Sequence, residues 1–96
     1  MKVYLVAEIS VRDPALFAQY LAKMPAFVGK YGGRYLVKGE SPAVIEGKWS
    51  PDKLVIVEFP EQQKLTGFLS DEEVKSLFSI RRLSTESSLL SVSGCD

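Results

Sequence analysis

The chain has 96 residues, 46% of them hydrophobic and 10% aromatic, which suits one domain with a single packed core and excludes two. Twelve Lys and Arg balance twelve Asp and Glu, so the net charge is zero and the basic field that draws proteins to nucleic acid is missing. Histidine is absent, which removes the commonest general base near neutral pH, the usual catalytic triads and most zinc or haem ligation.

The single cysteine, Cys95, permits no internal disulfide. Val3 to Ala7 is a short apolar run that meets Glu8 without a small-residue cleavage site, so no signal peptide is expected. No apolar run nears the roughly 20 residues of a bilayer span. The expectation is a cytoplasmic protein with no membrane partner.

From Lys2 to Val11 the residues alternate, with Val3, Leu5, Ala7, Ile9 and Val11 on one side and Lys2, Tyr4, Val6, Glu8 and Ser10 on the other. That pattern predicts a strand with one apolar and one mixed face. Asp13-Pro14 reads as an N-cap and first helical position. A stripe of Phe17, Tyr20, Leu21, Met24, Phe27, Val28 and Tyr31 carries the helix to a left-handed stop at Gly32-Gly33, with a kink expected at Pro25. Arg34 to Lys38 is a short second strand, followed by a long loop of turn formers from Gly39 to Asp52. Leu54 to Phe59 is the third strand. Pro60 ends it and opens a helical stretch bearing Leu65, Phe68 and Leu69. Asp71-Glu72-Glu73 suits the positive end of a fresh helix, so a break is predicted near Ser70, and Val74, Leu77 and Phe78 continue at helical spacing to Arg81-Arg82. Ser88 to Gly94 closes the chain as a fourth strand, with Leu89 and Ser91 expected on the face away from the helices.

The order βαββαβ predicts an α+β, ferredoxin-like sandwich over residues 1–96: two helical regions on one side of a four-stranded antiparallel sheet in the order 4-1-3-2. The other face would carry Tyr4, Val6, Glu8, Ser10, Leu54, Ile56, Glu58, Leu89 and Ser91, too apolar for water and too polar for a core. Two such sheets packed face to face would bury the apolar members, so a homodimer is expected.

Three stretches resemble one bacterial family: Tyr31-Gly32-Gly33-Arg34-Tyr35-Leu36-Val37-Lys38-Gly39, Glu46-Gly47-Lys48-Trp49-Ser50-Pro51 and Leu54-Val55-Ile56-Val57-Glu58-Phe59-Pro60. The family is the domain of unknown function DUF1330. The resemblance implies the dimeric α+β barrel superfamily, whose relatives include cofactor-independent monooxygenases and muconolactone isomerases. Where the family commonly writes Ser-Pro-Glu-Tyr, this chain has Asp71-Glu72-Glu73-Val74, without the tyrosine hydroxyl.

Candidate chemistry centres on Glu58 and Glu8. The first and third strands are expected to be adjacent and parallel, which puts both carboxylates near their C-terminal ends on the open face as neighbours, and one of them suits proton abstraction from a carbon acid. Arg34 is expected beside Glu58, and Lys38 near Leu54. Arg81, past the helical stripe and matching an arginine of the family, offers a fork to an anionic substrate. Tyr4 on the open face, with Glu46 and Trp49 in the long loop, completes the expected substrate-binding set. Against these stand structural readings: an interface ion network for Glu8, Glu58 and Arg34, a helix-end cation for Arg81, and a loop anchor for Trp49. No third ligand joins the glutamates, so neither metal nor cofactor is expected.

The leading expectation is a homodimer holding a small organic molecule between its two sheets, as a cofactor-independent oxygenase or isomerase or as a binding protein. The alternative is a non-catalytic structural or regulatory dimer. An RNA-recognition module shares the element order, but the carboxylate in Leu54-Val55-Ile56-Val57-Glu58-Phe59 and the absent net charge speak against a nucleic-acid partner.

Overall fold

A computed structural model describes residues 1–95. Its elements are β1 (Val3–Val11), α1 (Pro14–Lys30), β2 (Arg34–Glu40), β3 (Lys53–Phe59), α2 (Gln62–Ser70), α3 (Glu72–Ser84) and β4 (Thr85–Ser93). The strands form one sheet ordered β2-β3-β1-β4, the expected 4-1-3-2 read from the other edge. Every neighbouring pair is antiparallel. The parallel pairing assumed for the first and third strands is therefore wrong: the β2–β3 hairpin reverses the chain, so β3 runs against β1.

Local chemistry sets the helix limits. The Asp13 carboxylate accepts from the Leu16 backbone N–H at 3.1 Å and caps α1, with Pro14 at the first helical position. Pro25 removes one rung of α1 without ending it. Gly32 takes φ +76° and lets the chain turn into β2. Pro60 precedes α2 rather than opening it, since Glu61 occupies the N-cap position.

Asp71 divides α2 from α3. One of its oxygens accepts the Glu73 and Val74 N–H groups at 2.9 and 3.3 Å; the other accepts the Tyr31 hydroxyl at 2.6 Å and Lys30 Nζ at 3.1 Å. The end of α1 is thereby tied to the start of α3. The hydrogen bonds from Tyr31 and Lys30 outweigh partial burial and hold the Asp71 carboxyl far below its ordinary 3.8. A folded value below the unfolded one means that this stabilisation is complete above about pH 4 and is lost as the pH falls further. Thermal melting of the wild type should therefore drop steeply below that pH, whereas Asp71→Asn should melt lower at neutral pH and show a shallower acid decline. Equal acid slopes would remove Asp71 from the account.

The helices cover one face of the sheet. Val3, Leu5, Val57 and Phe59 meet Met24, Val28, Leu65, Phe68, Val74 and Leu77 in the main core, while Ala7, Ile9 and Phe17 form a second, separate cluster. Phe68 packs its ring against Phe59, Phe78 and Tyr31 at centroid distances of 5.2, 5.9 and 6.2 Å. Val74, standing where the family resemblance led to a tyrosine, is fully buried in this core.

Two details of register alter the faces inferred from alternation. β4 begins at Thr85, directly after α3, and pairs Leu89 with Ala7, Leu90 with Val6 and Val92 with Tyr4. Leu89 therefore packs under the helices, and Leu90 and Val92 occupy the open face, the reverse of the expected assignment. In β2 an irregularity between Tyr35 and Val37 shifts the pairing, so that Arg34 opposes Glu58 and Tyr35 opposes Val57, but Lys38 opposes Val55. The extra residue turns Lys38 to the helix side with Tyr35, although simple alternation puts it with Arg34.

Candidate functional site

The main cavity lies between the sheet and the helices, not on the open face. It has a volume of about 350 Å³ and is lined from both core clusters and from the inner sides of α1, α3 and the sheet. Its walls are mostly apolar, which is why the lining side chains read as an ordinary core stripe in the sequence. The void itself is set by how far α1 stands from the strands.

Few polar groups reach this cavity. Arg81, in the last turn of α3, is only 6% exposed. Its guanidinium lies 4.8 Å from the Phe78 ring centre, and Nη1 donates to Ser87 Oγ. Its buried Nε has no hydrogen-bond partner among the described residues. Burial lowers its pKa from the ordinary value, yet an arginine remains a cation at neutral pH. Tyr20, stacked on Phe17 at 5.4 Å, also lines the cavity. Burial pushes its phenol up to about 12; the Arg81 charge opposes that rise and Tyr35 adds to it. Burial raises the Tyr35 phenol as well. Both tyrosines are hydrogen-bond donors at neutral pH, and neither is a base.

At the rim, Lys38 Nζ sits 4.0 Å from the centre of the Tyr35 ring, a cation–π contact made available by the β2 irregularity. Lys53 pairs with Glu40 at 3.0 Å and lies 5.7 Å from the Phe17 ring centre.

The open face holds a separate constellation. Glu58, 8% exposed, accepts from Arg34 Nε at 3.0 Å and from the Tyr4 hydroxyl at 3.2 Å, with Lys2 Nζ 3.5 Å away. Burial works to raise its pKa, but the hydrogen bonds from Arg34 and Tyr4 and the charges of Arg34 and Lys2 prevail and lower it. Glu58 is held as a carboxylate.

Glu8 is not its neighbour. It opposes Leu54 and Ser88, while Glu58 opposes Tyr4. Four residues along β1 separate the two positions by roughly 13 Å. The expected carboxylate pair is thus broken by the antiparallel pairing of β1 and β3. Glu8 instead accepts from Trp49 Nε1, which brings the long loop onto the open face. Glu46 stays exposed in that loop and joins neither cluster.

The structure therefore distributes the sequence-nominated residues over two faces. Arg81 and Lys38 line the cavity; Glu58, Arg34, Tyr4, Glu8 and Trp49 lie on the opposite side of the sheet. Tyr20 and Tyr35 were not nominated. Tyr20 stands on the apolar stripe of α1 and so read as core, while Tyr35 entered the sequence reading only as part of a stretch resembling the family. No cluster of three metal-ligating side chains occurs among the described residues.

The architecture recurs in solved structures. A protein of unknown function from Rhodopseudomonas palustris is 14% identical, with a TM-score of 0.81 over 99% of this chain and 83% of that one. A dimeric ferredoxin-like protein of unknown function from Jannaschia sp. CCS1 is 7% identical, with a TM-score of 0.79 over 98% and 100%. SnoaB, a cofactor-independent oxygenase from Streptomyces nogalater, is 14% identical, with a TM-score of 0.67 over 99% and 94%. These likenesses establish the ferredoxin-like fold. No curated protein matches the sequence. The model of one family does match it, over residues 2–95, and the chain accordingly belongs to the domain of unknown function family DUF1330.

Proposed function

We propose that the protein is a homodimer, joined through its open sheet faces, in which each chain holds a small organic molecule between its own sheet and helices. The observation that carries this reading is the 350 Å³ cavity, apolar but for a few polar groups around a buried arginine. That combination is the usual make-up of a small-molecule site. The ligand is thus moved from between two sheets, where the sequence suggested it, to the interior of each chain.

The dimer is supported by two features. Val6, Ile56, Leu90 and Val92 form an apolar band on the open face, where Leu90 and Val92 are 58% and 52% exposed. The similar Jannaschia protein is a dimer. In this reading Glu58, Arg34, Tyr4 and Lys2 form an ion network at the interface, and Trp49 anchors the long loop beside it.

The oxygenase SnoaB lends the cavity a further meaning, since it performs its chemistry without a cofactor on a similar fold. Here the lining offers proton donors and cations, while its one carboxylate, Glu40, is paired with Lys53 at the rim.

Ala7 lines the cavity from β1 and is buried. Ala7→Leu should reduce binding of a neutral probe, 2-naphthylmethanol, at least 10-fold while the protein melts no lower than wild type, because the new methyl groups fill an existing void. Calorimetric titration together with thermal melting checks this. Undiminished binding in a stable Ala7→Leu protein would move the ligand out of the cavity.

A further inference from the structure

We infer that the cavity's ligand is an organic anion, a planar aromatic carboxylate whose charged oxygens are received by Arg81. This rests on the cavity reading above and adds the charge and shape of the occupant.

Among the described residues Arg81 has no anion of its own. Glu86, the acid closest to it in sequence, pairs with Arg12; Glu58 lies across the sheet with Arg34; and Glu40 pairs with Lys53 at the rim. Nor is Arg81 needed to cap α3. Ser84 Oγ donates to the Ile80 carbonyl at 2.7 Å, and Thr85 Oγ1 donates to the Arg81 carbonyl at 2.6 Å, so hydroxyls already satisfy the helix end. What remains is a buried guanidinium bordering an apolar cavity with its Nε proton unclaimed. A desolvated cation without a counter-charge is costly, and an anion supplied by the ligand removes that cost.

The neighbours favour the same ligand. Tyr20 and Tyr35 remain protonated and donate to a carboxylate. Of the charged residues around the cavity, Arg81, Lys38 and Lys53 are positive and only Glu40 is negative. The rings of Phe17, Phe68 and Phe78 supply faces and edges suited to a flat body. A guanidinium fork is itself planar and matches a carboxylate in two dimensions.

The test compares 2-naphthoate with 2-naphthylmethanol, probes that differ in charge but little in size, by calorimetric titration of wild type and Arg81→Met. Wild type should bind the naphthoate at least ~10-fold more tightly than the alcohol, the scale of one charged hydrogen bond. Arg81→Met should lose that preference while still binding the alcohol measurably. If the alcohol binds wild type as well as the naphthoate, or if Arg81→Met keeps the preference, the anion inference is overturned and the cavity reading stands. If neither probe binds, the cavity reading falls and the inference with it. Should Arg81→Met fail to fold, Arg81→Lys replaces it, keeping the charge but not the fork. A reduced preference there supports the inference, and an undiminished one overturns it.

Discussion

Phe68→Ala is expected to lower stability by roughly 3–5 kcal/mol and the melting temperature by at least about 12 °C. Phe68 is 1% exposed and stands where α2 meets the sheet, α3 and the end of α1, with three aromatic neighbours within 6.2 Å between ring centres. It also lines the cavity, so its removal joins an existing void to a new one instead of letting the core collapse. Leu83→Ala serves as the reference: Leu83 is 76% exposed on α3, and its loss should stay within about 0.5 kcal/mol. Both variants need comparison with wild type at one protein concentration, because the proposed dimer would add a concentration-dependent contribution. A fall of only a few degrees for Phe68→Ala would show that the aromatic cluster is looser than the ring distances indicate.

Val6→Asp should convert the proposed dimer to monomer, raising the dissociation constant at least ~100-fold, since a twofold interface places the new charge twice in one apolar band. Val6 is central: it faces Ile56 on β3 and Leu90 on β4. Sedimentation at micromolar concentration should find wild type as a dimer and the variant as a monomer. The cavity lies on the other side of the sheet, so the monomer should still bind 2-naphthylmethanol. Wild type sedimenting as a monomer would overturn the proposed dimer, and loss of binding on dissociation would show that the site needs its partner.

Much of the fold was legible because it depends on local chemistry. Asp13-Pro14 can cap and start a helix whatever packs against it, and Asp71 before Glu72-Glu73 does the same for α3. The alternation of β1 marked its buried face without reference to any partner. The long loop and the glycine stop followed from turn residues alone. Arg81 was nominated as an anion fork because it follows the helical stripe and matches an arginine of the family, and it lines the cavity.

The faces of β2 and β4 were not legible in the same way. Leu89 and Leu90 are adjacent leucines, so alternation fits either register; pairing with β1 chooses Leu89 for the core. Lys38 shares its sequence parity with Arg34, and only the shifted β2–β3 pairing puts the two on opposite sides. Glu8 and Glu58 were joined by a parallel pairing that the hairpin between β2 and β3 forbids.

By itself, then, the sequence determined the elements, their order and the family, since propensities, caps and periodicity act within a few residues of one another. Only the tertiary structure decided where a cavity opens. A hydrophobic stripe records which side chains avoid water, not whether they touch. Tyr20, Met24 and Phe17 look alike as core until the spacing of α1 from the sheet leaves a void between them and β1. Burial of Arg81 likewise reflects distant segments closing over one guanidinium, and a charge is conspicuous only when everything around it has been placed.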